Sequence, residues 1–375
     1  MAMVGGGAGA FIGNVHRMAA RLDGQVQLVA GAFNSDAAAS RAFGPTLGLP
    51  AERSYGSWPE LLAGEAARPD GAQFVAIVTP NDLHLAVAVE ALARGFHVLS
   101  DKPATRTLAD ALQLREAVVR SGRLYALTHV YLGYPMIAEA RNRIAAGQLG
   151  QLRRLVVHYT QGWLSTPLET QGHKQAGWRT DPVRSGPGGS IGDIGVHALT
   201  LAEHVSGLQI ERLCGDLGRV VPGRAVDDDA TAMLRFQCGV RGVLTASQIS
   251  TGEQNNVTLS VYGTGGGLHW AHQSANSLVL ISPNGERREI TAGVGQACLS
   301  DDALNLCRLP AGHPEGFIEA FANLYTAFAD DVRRFGSGLP LRSPATIATG
   351  VRGMAFIEAM LESDAAGQRW ADVKG

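Results

Sequence analysis

The chain opens with a short apolar segment, residues 1–4, and continues with Gly5-Gly6-Gly7-Ala8-Gly9-Ala10-Phe11-Ile12-Gly13. Such a glycine-rich turn between a strand and a helix is typical of sheets that bind dinucleotides. Glycines let the backbone approach a pyrophosphate, and the first helix offers N–H groups and a positive dipole end. In one register Ala10 replaces the third glycine of the GxGxxG pattern. In the other register Gly13 is the third glycine, and the turn contains three extra residues.

Strand and helix patterns alternate through the first third of the chain. Helices are predicted over 11–22, 37–43 and 58–63, and strands over 1–4, 27–33, 74–78, 96–99 and 125–127. A further helix has Asn81 as its N-cap and Gly95 as its stop. This alternation predicts a doubly wound Rossmann sheet. Because the first strand is short for a central one, we expect the native start to lie upstream of Met1.

After about residue 127 the pattern changes to longer alternating strands, predicted over 152–159, 230–236, 242–249 and 257–262. Helices are predicted over 137–146, 315–335 and 344–361. Successive strands joined by turns favour an antiparallel sheet. The predicted fold class is α/β, with an N-terminal Rossmann sheet and a C-terminal α+β domain built on a large, mainly antiparallel open sheet. We place a dinucleotide-binding domain at 1–126 and a substrate-binding and oligomerisation domain at 127–375.

The charge and cysteine content exclude several classes of protein. The 375 residues contain 32 Lys and Arg and 34 Asp and Glu, and no run of like charge is long enough to mark a charged tail or a polyanion-binding patch, so a nucleic-acid partner is not expected. The apolar stretches are short and interrupted, which argues against a membrane span. The four cysteines form no CxxC pair, so we expect reduced thiols, no zinc and a cytoplasmic location.

One acidic run suggests a metal site but is interpreted otherwise. Asp227-Asp228-Asp229 precedes a predicted strand, and three carboxylates can attract a hard cation. Consecutive residues of an extended chain, however, point in alternate directions. We therefore expect a solvated turn there, and no metal site anywhere in the chain.

Two short segments carry groups suited to acid-base chemistry. Asp101-Lys102-Pro103 follows a strand, and the carboxyl ends of strands in an open α/β sheet are where such sheets bind ligands. In Gly192-Asp193-Ile194-Gly195-Val196-His197, a carboxylate and an imidazole lie one helical turn apart. Together they suggest one active site assembled from two domains. Each residue also has a simpler interpretation. Lys102 could be a solvated loop lysine, Asp193 a carboxylate favoured by the dipole at a helix start, and His197 a core histidine.

The order of these segments resembles a known family. The glycine-rich start, Thr79-Pro80-Asn81-Asp82-Leu83-His84, Asp101-Lys102-Pro103 and the segment ending at His197 resemble the Gfo/Idh/MocA oxidoreductases. The resemblance implies a Rossmann domain for a nicotinamide dinucleotide and a C-terminal open sheet that holds a sugar-like substrate and often supports oligomers. Glu-Lys-Pro is commoner in that family than the Asp-Lys-Pro found here. The segments Trp178-Arg179 and His313-Pro314-Glu315-Gly316-Phe317 further resemble members that act on sugars, anhydrosugars and cyclic polyols, of the levoglucosan dehydrogenase type.

The implied activity is hydride transfer between a secondary alcohol of such a substrate and the nicotinamide. Oxidation of an alcohol needs a base for the hydroxyl proton, and lysine and histidine can both be tuned for that task. We assign His197 as the general acid/base, Lys102 as hydrogen-bond donor and relay partner, and Asp193 as the carboxylate that orients the substrate or tunes the other two. The roles of Lys102 and His197 could be exchanged.

The remaining candidate residues follow from the same motifs. The end of the second strand lacks the clear acid expected to bind the adenosine ribose of NAD. It also lacks an arginine placed for the 2′-phosphate of NADP, with Arg41 the nearest candidate. We favour NAD and leave NADP open. The predicted cofactor-binding residues are Gly5, Gly7, Ala10, Phe11, Ile12, Gly13, Asn34, Ser35, Thr79, Pro80, Asn81, His84, Asp101 and Lys102. The predicted substrate-binding residues, for each of which simple packing is the alternative, are His129, Tyr131, Trp163, Trp178, Arg179 and His313.

Two other function classes stay open at this point: a glycosidase that oxidises a sugar carbon transiently with NAD, and a non-catalytic dinucleotide-binding regulator. The regulator would need the catalytic positions to be lost, yet all three are present. The long alternating strands also predict a sheet face that another subunit covers, so a homodimer or homotetramer is expected.

Overall fold

The computed structural model describes residues 1–375 and contains fourteen strands in two sheets. The strands are β1 (Ala2–Gly5), β2 (Ala30–Ala32), β3 (Phe74–Val78), β4 (His97–Ser100), β5 (Tyr125–Leu127), β6 (Leu152–Thr160), β7 (Ile210–Gly218), β8 (Asp229–Phe236), β9 (Arg241–Ser247), β10 (Asn256–Gly263), β11 (Gly266–Ala271), β12 (Ser277–Ile281), β13 (Arg287–Thr291) and β14 (Ala371–Asp372).

Twelve α-helices accompany these strands, joined by short 3₁₀ turns and one π-helical turn at Ile191–Gly195. The helices are α1 (Phe11–Leu22), α2 (Ala37–Thr46), α3 (Trp58–Ala66), α4 (His84–Ala93), α5 (Leu108–Ser121), α6 (Pro135–Ala145), α7 (Lys174–Arg179), α8 (Pro182–Ser185), α9 (Val196–Ser206), α10 (Asp301–Leu304), α11 (Phe317–Arg333) and α12 (Ile347–Ala365).

The chain forms two compact units. The first consists of Met1–Val130 and Phe317–Val351, and the second of Tyr131–Gly316 and Arg352–Gly375. From the sequence, all of residues 127–375 are assigned to the second domain. In the structure, Phe317–Val351 belongs to the first unit. The reason is side-chain packing: the His16 ring of α1 lies 4.8 Å from that of Phe321 in α11 and hydrogen-bonds to Tyr325.

The first unit is built on a five-stranded parallel sheet with the order β2-β1-β3-β4-β5. Every residue of β3 and β4 is buried, as expected for central strands that helices cover on both faces. All five strands run in one direction, so their carboxyl ends share one edge. That edge carries the glycine-rich turn, Thr79 and Lys102.

The second unit is built on a nine-stranded open sheet with the order β13-β12-β11-β10-β6-β9-β8-β7-β14. Every neighbouring pair is antiparallel except β6 and β9, which pair in parallel. Alternate residues of the long strands are buried, as in β10, where Val257, Leu259 and Val261 face the core. Helices α6 and α9 pack on that buried face.

The predicted fold class is confirmed, and the predicted elements are found with two notable differences. Strand β2 is limited to Ala30–Ala32 because only these residues pair with β1. Asn81 is not a helix N-cap, because a 3₁₀ turn at Asn81–Leu83 precedes α4 and displaces its start to His84.

The acidic run before β8 also differs from expectation. Asp227 and Asp228 are 2% and 1% exposed, so the predicted solvated turn is wrong. Their carboxylates are buried because backbone and side-chain donors surround them.

None of the twelve helices is both long enough and apolar enough to cross a membrane. All four cysteines are free thiols, and no three histidine, cysteine or acidic side chains are grouped to hold a metal ion.

Candidate active site

The glycine-rich turn brings the first strand and the first helix into close contact. Gly6 has φ +73°, and a Cβ added to Gly13 would lie 2.3 Å from the Gly6 Cα atom. The packing function of the third glycine in a dinucleotide fingerprint therefore falls on Gly13. Ala10 is the residue just before α1, so the register with three extra residues in the turn is the one this fold uses.

The first turn of α1 has no side-chain cap. Ala10 makes no capping hydrogen bond, and the turn contains no acidic residue. Phe11 begins the helix and is 70% exposed, which is unusual for a large apolar side chain. An uncapped helix start after a glycine turn suits a phosphate group, since its N–H groups and dipole attract anions.

The end of β2 offers small polar groups and no unpaired arginine. Asn34 and Ser35 are exposed, and the Asn34 Oδ1 atom accepts a hydrogen bond from the Asp36 backbone at 3.0 Å. Arg41, the nearest candidate partner for a 2′-phosphate, is paired with Glu60 at 2.6 Å. This arrangement fits NAD better than NADP.

The segment after β3 ties two strand ends together. His84 faces the Pro103 carbonyl oxygen through Nδ1 at 2.7 Å and the Thr79 carbonyl oxygen through Nε2 at 3.0 Å. The Thr79 hydroxyl is buried and has no hydrogen-bond partner in the protein. A buried hydroxyl at the carboxyl edge of the sheet is suited to a ligand that supplies the missing partner, so the residues present fit a dinucleotide.

Lys102 is half-buried and held by its neighbours. The Asp101 Oδ1 atom accepts hydrogen bonds from the Lys102 backbone N–H at 2.8 Å and from the Thr128 hydroxyl at 3.0 Å, and the Lys102–Pro103 peptide bond is cis. Burial, together with the nearby Lys102 ammonium, lowers the pKa of His129 to about 3. His129 is therefore a neutral, buried neighbour of the lysine at ordinary pH.

In the second unit, Asp193 lies on the π-helical turn that leads into α9. Its Oδ2 atom accepts hydrogen bonds from Arg179 Nε at 3.2 Å and Gln248 Nε2 at 2.9 Å. The Arg179 guanidinium stacks over the Trp178 ring at 4.2 Å and lies 5.9 Å from the Trp163 ring. The carboxylate thus lies beside a cation and two indole rings.

His197 follows one turn later and lies among aromatic rings. It is 7% exposed, with its ring 5.1 Å from that of Tyr131 in a perpendicular arrangement and 6.1 Å from that of Tyr159. Burial raises the pKa of Tyr131 to about 12, so this phenol stays neutral. A mainly apolar wall with phenol hydroxyls suits a general acid/base, because little water competes for the proton.

A chain of polar side chains extends from these rings. Tyr131 donates to Tyr159 at 2.8 Å, and Asn255 donates to the Tyr131 hydroxyl at 2.9 Å. Gln161 donates to Asn255 at 2.6 Å and accepts from the Trp163 indole at 3.0 Å. Asn255 also has φ +62°, a left-handed conformation that is uncommon outside glycine and often found at functional sites.

The sequence analysis did not identify Tyr159, Gln161, Gln248 or Asn255. Tyr159 and Gln161 are two residues apart at the end of β6, so strand alternation could have placed them on one face. Gln248 and Asn255 carry no local signal, since their partners lie 55 and 124 residues away in the sequence.

The structure brings some of the predicted substrate residues together and leaves others apart. Trp163, Trp178 and Arg179 lie together with Asp193, and Tyr131 contacts His197. His129 falls in the first unit and Tyr131 in the second. His313 is on an exposed turn near the Pro310 carbonyl oxygen, and no hydrogen bond or ring contact joins it to the Asp193 cluster, so its role stays a prediction.

Comparison with known proteins identifies both halves of the chain. Residues 1–129 match the family described as "Oxidoreductase family, NAD-binding Rossmann fold", and residues 137–269 match the "GFO/IDH/MocA C-terminal domain". An uncharacterised oxidoreductase of Bacillus subtilis is 30% identical, covering 100% of this chain and 96% of its own length. The levoglucosan dehydrogenase of Pseudarthrobacter phenanthrenivorans is 25% identical, covering 88% of this chain and 92% of its own length.

Solved structures show the same fold. An inositol dehydrogenase homologue from Azotobacter vinelandii, complexed with NAD⁺, superposes with a TM-score of 0.93 at 36% identity, covering 99% of this chain and 96% of that one. Its complex with NADH and myo-inositol gives 0.90 at 35% identity over the same shares. Since the two family matches span most of the sequence, this chain belongs to the Gfo/Idh/MocA family of oxidoreductases and has an NAD-binding Rossmann domain.

Proposed function

We propose that the protein is an NAD-dependent dehydrogenase that oxidises a secondary alcohol of a cyclic polyol or sugar-like ring. The observation that carries this proposal is the turn holding Asp193 and His197 beside a chain of hydroxyl, amide and indole groups. Related proteins support the substrate class, because the Azotobacter vinelandii homologue is complexed with NADH and myo-inositol and another relative is a levoglucosan dehydrogenase.

The proposed division of labour follows from the position of each group. When bound, NAD would supply the acceptor for the hydride of the carbinol carbon. His197 takes the hydroxyl proton through its ring, and its aromatic surroundings keep competing water away. Lys102, whose backbone N–H is held by the Asp101 carboxylate, is assigned as a hydrogen-bond donor to the substrate and as a partner in the proton relay. Asp193, already paired with Arg179 and Gln248, accepts a hydrogen bond from a neighbouring substrate hydroxyl.

The cofactor contacts are proposed from the carboxyl edge of the first sheet. The uncapped turn from Ala10 to Gly13 would hold the pyrophosphate through backbone N–H groups, and Asn34 and Ser35 would hold the adenosine ribose. The buried Thr79 hydroxyl and the neighbouring Asn81 would contact the nicotinamide half.

The substrate contacts are proposed from the second unit. Trp163 and Trp178 offer flat apolar faces to ring C–H groups, while Arg179, Gln161 and Asn255 offer donors and acceptors to hydroxyls. A site with several placed polar groups selects polyhydroxylated rings over simple alcohols, because a substrate lacking those hydroxyls leaves polar groups unpaired.

The first test is a spectrophotometric screen. Inositols, levoglucosan and common aldoses are offered with NAD and, separately, NADP, and the absorbance of reduced nicotinamide is followed. We expect turnover of at least one cyclic polyol or sugar, with NAD preferred. Failure of every substrate with both cofactors, in a folded sample that binds NAD, would refute the proposed activity.

The second test assigns the residues. Lys102→Ala and His197→Ala should each lower kcat by about 100-fold or more and leave NAD affinity nearly unchanged, because both act on the substrate proton. Lys374→Ala, which removes an exposed lysine at the chain end, is the control and should be indistinguishable from the parent. Turnover within a few-fold of the parent in both active-site variants would show that these side chains are structural.

We also propose that the protein is a homodimer or homotetramer joined through the outer face of the nine-stranded sheet. That face carries uncharged side chains such as Val243 and Thr245, and exposes Met233 and Tyr262 by 49% and 41%. Light scattering decides the matter, because a mass of 39.4 kDa would mean a monomer. A cytoplasmic location stays a prediction.

A further inference from the structure

Two neighbouring acids just before β8 hold two different parts of the second unit. Asp227 and Asp228 are almost fully buried, and their carboxylates contact different segments of the chain. Each carboxylate collects a separate set of hydrogen bonds.

Asp227 binds the segment that leads into the π-helical turn at Ile191–Gly195. Its Oδ1 atom accepts from the Gly189 N–H at 2.6 Å, and its Oδ2 atom accepts from the Ser190 hydroxyl at 2.6 Å and the Ile191 N–H at 2.8 Å. Its backbone carbonyl accepts from the Ser190 N–H at 2.8 Å. A Cβ at Gly189 would lie 2.0 Å from that carbonyl oxygen, so only glycine permits this approach.

The donors of these four hydrogen bonds lie in residues 189–191, and the last of these residues precedes Asp193 by two positions. The π-helical turn begins at Ile191 and runs directly into α9, which carries His197. A π turn has poorer hydrogen-bond geometry than an α-helix and needs support from its surroundings. Asp227 supplies that support at the point where the turn begins.

Asp228 binds a different segment, residues 220–224. Its carboxylate accepts from the Val220 N–H at 2.8 Å, the Val221 N–H at 2.9 Å and Arg224 Nη1 at 3.1 Å. Arg224 in turn donates to the Leu164 carbonyl at 2.9 Å and to the Glu169 carboxylate at 3.0 and 3.1 Å. This second network therefore fixes the segment that directly follows Trp163.

We infer that Asp227 is a positioning residue for the acid/base turn and Asp228 a positioning residue for the substrate-binding segment. The inference rests on the proposed function, which gives Asp193 and His197 the chemistry and Trp163 the binding. It has a distinctive consequence: two adjacent residues of the same type and burial affect different kinetic constants. Misplacing a reacting group by about 1 Å can cost about 100-fold in rate, whereas loosening a binding segment weakens affinity for the substrate.

The experiment compares Asp227→Asn with Asp228→Asn, each the matched control for the other. An asparagine amide turns an N–H group toward donors that a carboxylate accepted, so each variant breaks its own network. We expect Asp227→Asn to lower kcat by about 10- to 100-fold with KM within about threefold. Asp228→Asn should raise KM by about tenfold with kcat within about threefold. Equal losses of kcat in both variants would overturn the inference.

A second measurement does not depend on any activity. Hydrogen exchange of the full chain, read by mass spectrometry without substrate, should show faster exchange over 189–197 in Asp227→Asn and over 164–169 and 220–224 in Asp228→Asn. Uniform change across both regions would mean that the acids stabilise the unit as a whole, which overturns the inference.

The two measurements together separate this inference from the proposed function. If Asp227→Asn keeps its kcat while His197→Ala is inactive, the positioning role is wrong and the catalytic assignment stands. If both keep their kcat, the catalytic assignment is wrong and this inference falls with it. Should Asp227→Asn fail to fold, Ser190→Ala removes one hydrogen bond to the same carboxylate and should lower kcat by a few-fold with KM unchanged; an unchanged kcat would then overturn the inference.

Discussion

Replacing Gly13 by alanine tests the close packing of the glycine-rich turn on α1. The added Cβ would lie 2.3 Å from the Gly6 Cα atom and 2.6 Å from the Gly6 carbonyl oxygen. Ordinary contacts between carbon atoms are about 3.5–4.0 Å, so the turn and the helix must separate by more than about 1 Å. Both clashing atoms belong to backbone, which cannot turn away as a side chain can.

The sign of the effect is informative because two contributions oppose each other. Alanine is a better helix former than glycine by up to about 1 kcal/mol, which would stabilise α1. Overpacking of this kind costs about 1–3 kcal/mol or more, so we expect a net loss of about 2 kcal/mol. At about 2–4 °C per kcal/mol for a unit of roughly 150–250 residues, the melting temperature of the first unit should fall by about 4–8 °C. NAD should bind at least about tenfold more weakly, since the turn that would hold the pyrophosphate is displaced.

Gly353→Ala is the matched control, because Gly353 also lies within a helix, α12, and its added Cβ would meet only the Val196 Cγ1 atom at 3.8 Å. That variant should melt at or above the temperature of the parent and bind NAD normally. Thermal unfolding and fluorescence titration with NAD measure both effects. Unchanged NAD affinity together with a melting temperature at or above that of the parent in Gly13→Ala would refute the packing argument.

Two further predictions concern stability. Glu65→Ala leaves Arg53 buried without its main partner and should lower the free energy of unfolding, measured in urea, by about 3–5 kcal/mol. Glu60→Ala breaks only the exposed ion pair with Arg41 and should lower it by less than about 1 kcal/mol. Similar losses of stability in the two variants would contradict this prediction. Burial lowers the pKa of His16 from 6.5 to about 4, so between these pH values the unfolded chain binds a proton that the folded chain does not. Stability should therefore fall by about 3 kcal/mol as pH drops through this window, and His16→Gln should lose that part of the slope; an identical slope in the variant would show that His16 is not responsible.

The sequence by itself determined the features that depend on local patterns. Glycines after a short strand, and apolar runs of strand and helix period, predicted the Rossmann sheet and the change to an antiparallel sheet near residue 127. The four-residue spacing of Asp193 and His197 predicted their shared helical face, because a helix fixes that geometry without distant contacts. Asp101 and Lys102 could likewise be placed at a strand end from the chain around them.

Only the tertiary structure decided which distant residues meet. Asp227 reaches Gly189 over 38 residues, and Asn255 reaches Tyr131 over 124, so no local pattern could announce either contact. The acidic run looked solvated because burial of a carboxylate depends on donors that the rest of the fold supplies. The same holds for Phe317–Val351, which packs with the first unit. Its place beside α1 was set by side-chain packing such as that of Phe321 against His16, which exists only once both helices have formed.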